Sequence, residues 1–325
     1  MTSSLAAVVM AAGLGTRMRS ERPKHLHPLL GRRLIDWSIE PVLPLQPDPL
    51  VVVCSPATED ELSGTLPPGA ALAVQEKPRG TGDAVEAARS ALEGFAGDVF
   101  VLDGAAPLLT TELLEALLAE HRSSGAAVTV LSIEPDEPLP YGRIIRDASG
   151  ALRAIVEDKD ATPEERAIRE LNTSIYVFRA VELWPALEAL DPANAQGELY
   201  LTDAVRSLVD TGHGAAVYCA PVADMGLGVN TRAELAEAAA ELRRRIVVKH
   251  LAAGVAVVDP STTWIEPAVV IEPEALIQPF TILRGRTVIG AGAEVGPHAL
   301  VVDSEVGAGD VVAPFTYRRP EGEGS

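Results

Sequence analysis

The sequence predicts an α/β protein in which a mostly parallel sheet is followed by a long helix and a short parallel β-helix. Two observations lead to this fold class. From Leu5 to Cys219, continuous apolar runs alternate with amphipathic helical segments, which is typical of a parallel sheet covered by helices on both faces. Towards the C-terminus, apolar residues recur at every sixth position, which is the pattern of a parallel β-helix.

Apolar runs and helical patterns alternate through the predicted sheet. The candidate strands are 6–12, 50–54, 71–75, 98–103 and 127–133. The helical patterns that separate them lie at about 33–43, 80–93 and 110–124. The segment 143–158 is predicted to be a hairpin, because Ala-Ser-Gly at 148–150 is a turn sequence. A further buried strand is predicted at 172–178.

A long helix at 231–254 is predicted to connect the sheet to the β-helix. Thr231 is a plausible N-cap with Glu234 three residues later, as in a capping box, and Gly254 ends the pattern. The spacing of six then slips by one residue before Val306 and Val312, and 265–318 has room for about three coils. The apolar positions before the slip are Ile265, Ile271, Ile277, Leu283, Ile289, Val295 and Val301.

Composition excludes several classes of protein. A chain of 325 residues, 47% hydrophobic and 22% charged, is an ordinary globular protein long enough for two domains. Its net charge of −19 argues against a nucleic-acid partner. Cys54 and Cys219 lie far apart and are expected to be buried thiols rather than a disulfide or zinc ligands. The first apolar run is too short to span a membrane and lacks a basic leader, so we expect a cytoplasmic protein.

A glycine loop directly after the first strand is the main functional motif. Gly13 and Gly15 allow a phosphate or base to approach the backbone, but the loop lacks the third glycine of a dinucleotide fingerprint and the Gly-Lys-Ser/Thr of a P-loop. Cations beside such a loop suit a triphosphate or pyrophosphate, although a solvated basic loop is the alternative. The cations beside the glycine loop are Arg17, Arg19, Arg22 and Lys24.

His25 and His27 could share a strand face as metal ligands, but no third ligand is spaced to join them, which favours packing or surface roles.

The segment GLGTRMRSERPKHLHPLLG at 13–31 resembles the signature loop of sugar-1-phosphate nucleotidyltransferases. Further segments resemble this family in the same order, at 75–84, 140–147, 155–178, 194–205 and 226–232. The strongest similarity is to the bacterial bifunctional N-acetylglucosamine-1-phosphate uridyltransferases/glucosamine-1-phosphate acetyltransferases. The resemblance implies a Rossmann-like nucleotidyltransferase domain at 1–229, a helical linker arm at 230–263 and a left-handed hexapeptide-repeat β-helix at 264–319. The polar residues 320–325 are expected to be a disordered tail.

The resemblance also implies a reaction and the residues that perform it. UTP and N-acetylglucosamine-1-phosphate would give UDP-N-acetylglucosamine and pyrophosphate, with Mg²⁺ as cofactor. Arg17 and Lys24 would neutralise the triphosphate during in-line attack on the α-phosphorus, and Asn230 would be one magnesium ligand. Residues 10–13 would line the uridine pocket. The uracil edge would be contacted by Gln75, Gly80 and Thr81. The sugar would be held by Gly142, Glu157 and Asn172. The expected nucleotide or substrate contacts are Met10, Ala11, Ala12, Gly13, Gly15, Lys24, Gln75, Gly80, Thr81, Asp103, Gly104, Gly142, Glu157, Asn172 and Asn230.

Two residues depart from the family pattern near the expected site. The family's Gly-Asp-x-Pro-Leu reads GAAPL at 104–108, so Ala105 stands where a second magnesium ligand is expected, and a methyl group cannot bind the ion. On a strand, Asp103 would point to the same side about 6–7 Å away. Three explanations stay open: an engineered change that silences turnover, takeover of the metal by Asp103, or a lineage that binds the sugar nucleotide without making it. Asp83 replaces the family's histidine in GTGHA.

The β-helix is also shorter than in the family, where further coils carry the acetyltransferase site. Arg319 matches one family arginine of that site, but a lone arginine does not make an acetyl-coenzyme A site, so we expect no acetyltransferase activity. The resemblance implies a homotrimer assembled through the flat faces of the β-helix. Two other functions remain as alternatives: the same chemistry on another sugar-1-phosphate, and a catalytically silent protein that binds sugar nucleotides.

Overall fold

The computed structural model describes residues 4–137 and 139–320 of the protein, so most of the tail predicted at 320–325 lies outside the described residues. The first strands are β1 (Leu5–Ala11), β2 (Pro28–Leu29), β3 (Arg32–Arg33), β4 (Leu50–Cys54), β5 (Ala71–Val74), β6 (Asp98–Asp103), β7 (Val128–Ile133), β8 (Arg143–Arg146), β9 (Leu152–Val156), β10 (Leu171–Arg179) and β11 (Ala215–Cys219). The short strands that follow are β12 (Ala256–Val257), β13 (Trp264–Ile265), β14 (Val270–Ile271), β15 (Leu276–Ile277), β16 (Ile282–Arg284), β17 (Val288–Ile289), β18 (Glu294–Val295), β19 (Leu300–Val302), β20 (Glu305–Val306), β21 (Val311–Val312) and β22 (Tyr317–Arg318).

Helices are distributed mainly among the first eleven strands. The α-helices are α1 (Leu34–Ile39), α2 (Glu59–Leu62), α3 (Thr81–Ala87), α4 (Thr111–Ser124), α5 (Pro163–Arg166), α6 (Ala180–Glu188), α7 (Leu201–Asp210) and α8 (Arg232–Ala252). Short 3-10 helices span Thr16–Met18, Lys24–Leu26, Glu40–Leu45, Arg89–Leu92 and Ala223–Gly226. Within 4–137 and 139–320, no helix combines the length and apolar character needed to cross a membrane. Contacts divide the chain into two compact units. The first consists of the residues up to His27 together with 34–231, and the second consists of 28–33 together with the residues from Arg232 on.

A nine-stranded sheet with the order β11-β7-β10-β6-β1-β4-β5 forms the centre of the first unit. The pairs β1–β4, β1–β6, β4–β5 and β7–β11 are parallel. Strand β10 runs antiparallel between β6 and β7, and the hairpin β8–β9 pairs with it. Every residue of β1 and β4 is buried, as a continuous apolar run in a sheet covered on both faces requires. The predicted α/β class is confirmed.

Prolines explain where one predicted helix differs from the structure. The pattern at 33–43 begins as α1 but continues as the 3-10 helix Glu40–Leu45. Pro41 and Pro44 have no amide hydrogen to donate, so the α-helical hydrogen bonds cannot continue there. Cys54 is buried as expected, whereas Cys219 is exposed, because it is the last residue of the edge strand β11.

The second unit contains three stacks of short parallel strands. Their orders are β12-β15-β18-β21, β13-β16-β19-β22 and β14-β17-β20. Ile271 pairs with Ile289, which is 18 residues away, whereas Ile289 pairs with Val306, which is 17 residues away. The apolar hexad positions are buried together in one core. The prediction of a parallel coil, including the slip of one residue, is therefore confirmed.

Aromatic rings stack along one corner of this coil. His298 lies between Phe280 and Phe315, with ring centroids 4.7 and 4.9 Å away and interplanar angles of 7° and 8°. All three residues have a positive φ, which turns the chain between two faces of the coil. The same corner conformation therefore repeats in successive coils.

His121 is a buried titratable group on α4, beneath the sheet of the first unit. Its Nδ1 lies 2.9 Å from Thr129 Oγ1, and its Nε2 lies 3.7 Å from Asp98 Oδ1. Burial lowers the pKa of His121 to about 4, although the charge of Asp98 opposes this change; Arg179 and Arg122 lower the pKa further. His121 is therefore neutral in the folded protein at pH 7.

Acidification from pH 7 to 4 is expected to destabilise the protein through His121. Because its folded-state pKa lies below the ordinary value of 6.5, the unfolded chain takes up the proton first, and stability is lost as the pH falls through this interval. The shift corresponds to a loss of up to roughly 3 kcal/mol. Urea unfolding at several pH values should show a weaker pH dependence for His121→Gln than for the wild type. Identical pH dependence in the two proteins would contradict the prediction.

Candidate active site

The glycine loop follows β1 and lies beside the 3-10 helix Lys24–Leu26. Gly15 has a φ of 60°, and a Cβ added to it would lie 2.5 Å from Lys24 Cβ, so a larger residue cannot be accommodated there without a shift. At Gly13, by contrast, no described atom outside its two chain neighbours lies within 4 Å of an added Cβ. The space above Gly13 is therefore open to a ligand, and Met10, Ala11 and Ala12 are buried behind it.

Lys24 joins this loop to a second motif far along the chain. Its Nζ donates a hydrogen bond to Asn230 Oδ1 at 3.3 Å, and the residue is only 9% exposed. Arg17 lies on the 3-10 helix Thr16–Met18 and is exposed. Lys24 and Asn230, two predicted site residues that lie 206 positions apart, are thus in direct contact.

The two neighbouring histidines do not form a metal site in the described part of the chain. His25 lies in the 3-10 helix Lys24–Leu26 rather than on a strand, so the shared strand face considered for His25 and His27 is absent. Burial and the charge of Lys24 hold the pKa of His25 well below its usual value. Among the described residues, no group of three or more His, Cys, Asp or Glu side chains could hold a metal.

The chain turns directly after Asp103, where β6 ends. Asp103 Oδ1 accepts a hydrogen bond from Ala105 N at 3.0 Å, and Oδ2 lies 2.8 Å from the position of a Cβ added to Gly228. Ala105 is 0% exposed, and its carbonyl oxygen accepts from Val229 N at 2.7 Å. The expectation that Asp103 and residue 105 point to the same side of one strand is therefore wrong, because residue 105 lies in a turn. The Asp103 carboxylate faces the segment that leads to Asn230.

The residues expected to hold the sugar lie close together. Asn172 N donates to Gly142 O at 2.8 Å, and a Cβ added to Gly142 would lie 3.6 Å from both Asn172 Cβ and Glu157 Oε2. Asn172 is a buried residue of β10, and its Nδ2 donates to Tyr176 Oη at 2.8 Å. A bulge in β10 between Asn172 and Tyr176, with Ser174 at a φ of 61°, produces this approach.

Burial controls the charges around this cluster. The pKa of Glu157 is raised, mainly by burial and also by neighbouring carboxylates, although the hydrogen bond from Thr202 Oγ1 lowers it. Burial raises the pKa of Tyr200 to about 12 and also raises the pKa of Tyr176. Both phenols are therefore neutral at pH 7 and remain able to donate hydrogen bonds.

A cavity of about 130 Å³ lies among these side chains. Met10, Thr81 and Glu157 were predicted as site residues, whereas the other five lining residues were not. Those five lie within segments 155–178 and 194–205, which match the family pattern, but only the fold places them around one cavity. The lining residues are Met10, Thr81, Glu157, Ser174, Tyr176, Gln196, Glu198 and Tyr200.

The residues expected to read the base lie between β5 and α3. Gly80 has a φ of 115°, and an added Cβ would lie 2.5 Å from Leu199 O. Thr81 Oγ1 accepts a hydrogen bond from Leu201 N at 3.0 Å, at the start of α7. Gln75 Nε2 donates to Gly80 O at 3.1 Å. These contacts fix the Gly-Thr-Gly segment against the start of the helix that borders the cavity.

Comparison with known proteins extends over nearly the whole chain. Residues 7–245 match the family model described as MobA-like NTP transferase domain. The chain is 44% identical to the "Bifunctional protein GlmU" of Corynebacterium efficiens, over 98% of this chain and 70% of that protein. Proteins of the same name from Mycolicibacterium gilvum and Mycobacterium tuberculosis are also 44% identical; the alignments cover 98% and 97% of this chain and 68% of each relative.

Proposed function

This chain belongs to the MobA-like NTP transferase family, with GlmU proteins as its relatives, and on that premise we propose that it makes UDP-N-acetylglucosamine. The chain is a nucleotidyltransferase that acts on a sugar-1-phosphate. In the proposed reaction, a phosphate oxygen of N-acetylglucosamine-1-phosphate attacks the α-phosphorus of UTP. The bond between the α-phosphorus and the bridging oxygen breaks, and pyrophosphate leaves with the electron pair.

The contact between Lys24 and Asn230 is the observation that carries this proposal. It places a nearly buried ammonium group beside a glycine loop that has open space above Gly13. Phosphoryl transfer depends mainly on positioning and charge neutralisation. Lys24 supplies a fixed positive charge for the triphosphate, and the exposed Arg17 supplies a second one from the same loop. Asp103 and Gly104 border this loop, because Gly104 N donates to Met10 O at 2.9 Å.

Hydrogen-bonding groups at the other end of the site support an N-acetylated sugar as substrate. Glu157 offers carboxylate oxygens to sugar hydroxyls, and Asn172 is held by Tyr176 at the bulge of β10. Gly142 leaves room between them, since any side chain there would approach both. Gln75, Gly80 and Thr81 would contact the uracil edge, while Met10, Ala11, Ala12 and Gly13 would line the uridine pocket.

Magnesium is the cofactor that we propose. Asn230 Oδ1, which also accepts from Lys24, and Asp103 Oδ2 are oxygen atoms near the loop that could bind it. One carboxylate and one carboxamide, completed by phosphate oxygens and water, fit the way in which enzymes commonly bind Mg²⁺. When bound, the ion would neutralise charge on the phosphoryl oxygens. Because Ala105 lacks the carboxylate that the family pattern has at this position, the carboxylate of the set would have to come from Asp103 instead, which favours silent sugar-nucleotide binding as a second candidate function.

Pyrophosphate release distinguishes these candidates. We expect magnesium-dependent release from UTP with N-acetylglucosamine-1-phosphate, and slower release when another sugar-1-phosphate replaces it. Binding of UDP-N-acetylglucosamine in calorimetry without any pyrophosphate release would support the silent function instead. Faster turnover with glucose-1-phosphate would assign the same chemistry to a different sugar.

Three further expectations remain proposals. We propose a homotrimer through the β-helix faces, which sedimentation velocity can test, and cytoplasmic action. We also expect no turnover of glucosamine-1-phosphate with acetyl-coenzyme A, and clear product formation in that assay would contradict this expectation.

A further inference from the structure

Asp83 is a nearly buried carboxylate in the first turn of α3, and both of its oxygens are occupied. Oδ1 accepts from Arg79 NH2 at 2.6 Å, and Oδ2 accepts from Gln75 Nε2 at 2.8 Å. The Asp83 side chain is 10% exposed, while that of Arg79 is 66% exposed. The carboxylate therefore spans from a surface arginine to the buried amide of Gln75.

These contacts determine which way the Gln75 amide points. Nε2 donates to both Asp83 Oδ2 and Gly80 O, at 2.8 and 3.1 Å. Carboxylate and carbonyl oxygens only accept hydrogen bonds, so the opposite orientation would bring Oε1 against two acceptors and lose both bonds. In the part of the chain that the structure describes, no group donates to Gln75 Oε1. The amide consequently keeps its oxygen as the one polar atom left for a ligand.

We propose that Asp83 is a positioning residue that determines base specificity by locking Gln75 with its acceptor towards the base. An acceptor at this point selects a nucleobase with a ring N–H, such as N3–H of uracil. Cytosine presents an unprotonated N3 there, which would leave two acceptors facing each other. A buried polar group that is left unpaired is a strong basis for rejecting the wrong ligand. This inference rests on the proposed function, because it takes Gln75 to be the residue that reads the base.

Equilibrium binding of UTP and CTP, with Mg²⁺ present, tests the proposal without requiring turnover. We expect the wild type to prefer UTP, and Asp83→Asn to reduce the UTP/CTP affinity ratio at least about tenfold, since a carboxamide can donate or accept and frees Gln75 to turn. Glu86→Gln makes the same chemical change on the same helix, where Glu86 pairs with Arg89, and should leave the ratio unchanged.

The outcomes separate this inference from the proposed function. A UTP preference that persists in Asp83→Asn overturns the role of Asp83 and leaves the proposed function intact. A wild-type protein that binds neither nucleotide overturns both. If Asp83→Asn does not fold, as judged by circular dichroism, Asp83→Ser serves in its place, because a hydroxyl also both donates and accepts.

Discussion

Replacement of Ala105 by aspartate is expected to raise magnesium-dependent pyrophosphate release by about 100-fold or more. The change adds a carboxylate to the turn after β6, whose backbone already bonds to Val229, next to Asn230. Ala105 is fully buried, so a carboxylate there is costly unless a cation pairs with it. Steady-state assays should therefore show faster turnover at lower Mg²⁺ concentration. Thermal unfolding should show a stronger stabilisation by Mg²⁺ in the variant than in the wild type.

Two matched variants make this experiment specific. Ala105→Asn has nearly the same shape but no charge, and it should give a much smaller increase. Asp103→Asn should abolish the remaining turnover of the wild type if Asp103 now serves the metal, and should matter less in the Ala105→Asp background. Turnover and magnesium dependence that are unchanged in Ala105→Asp would show that residue 105 does not face the metal.

Replacement of Lys24 by alanine is expected to weaken UTP binding by about 100-fold, because hydrogen bonds to charged groups in a nearly buried site are strong. The change removes the ammonium group that contacts Asn230 and leaves the exposed Arg17 as the loop's other expected phosphate ligand. Calorimetry with UTP measures the effect. Lys249→Ala, which removes an exposed charge from α8, is the control and should retain the wild-type affinity.

Loss of packing must be separated from loss of charge in this variant. Lys24 is nearly buried, so truncation to alanine also removes packing contacts made by its side-chain stem. Lys24→Met keeps a stem of similar length without the charge and should show nearly the same loss of affinity. Unchanged UTP affinity in both variants would refute the phosphate-binding role of Lys24.

The fold could be predicted from the sequence where the hydrophobic pattern is compatible with only one type of element. Buried runs such as 50–54 match their strands, and the spacing of six fixed the register of the coil, including the slip before Val306. The direction of β10 could not be predicted, since a buried apolar run has the same composition whether its strand pairs in parallel or antiparallel with its neighbours. The division of the first helix at Pro41 follows from local chemistry that a hydrophobic period alone does not express.

The motifs of the site could be predicted one by one from the sequence, but their arrangement in space could not. The loop at 13–31 and the segment around Asn230 were both identified, yet only the fold brings Lys24 to Asn230. The end of β6 at Asp103 was predicted correctly, but the placement of residue 105 was not, because it was treated as if the strand continued past Asp103. The hydrogen bond between Gln75 and Asp83 was not predicted, because the pattern showed only a departure from histidine and not what the carboxylate would contact.

The aromatic corner of the coil has a consequence for how the second unit tolerates changes in length. Phe280, His298 and Phe315 remain stacked although the first step along the chain is 18 residues and the second is 17. The missing residue is taken from another corner, where 303–304 replace the longer 285–287. Length variation is thus confined to one corner of the triangular cross-section. Insertions engineered between β19 and β20 should preserve the other two corners, which makes that corner the place to attach a loop or a tag.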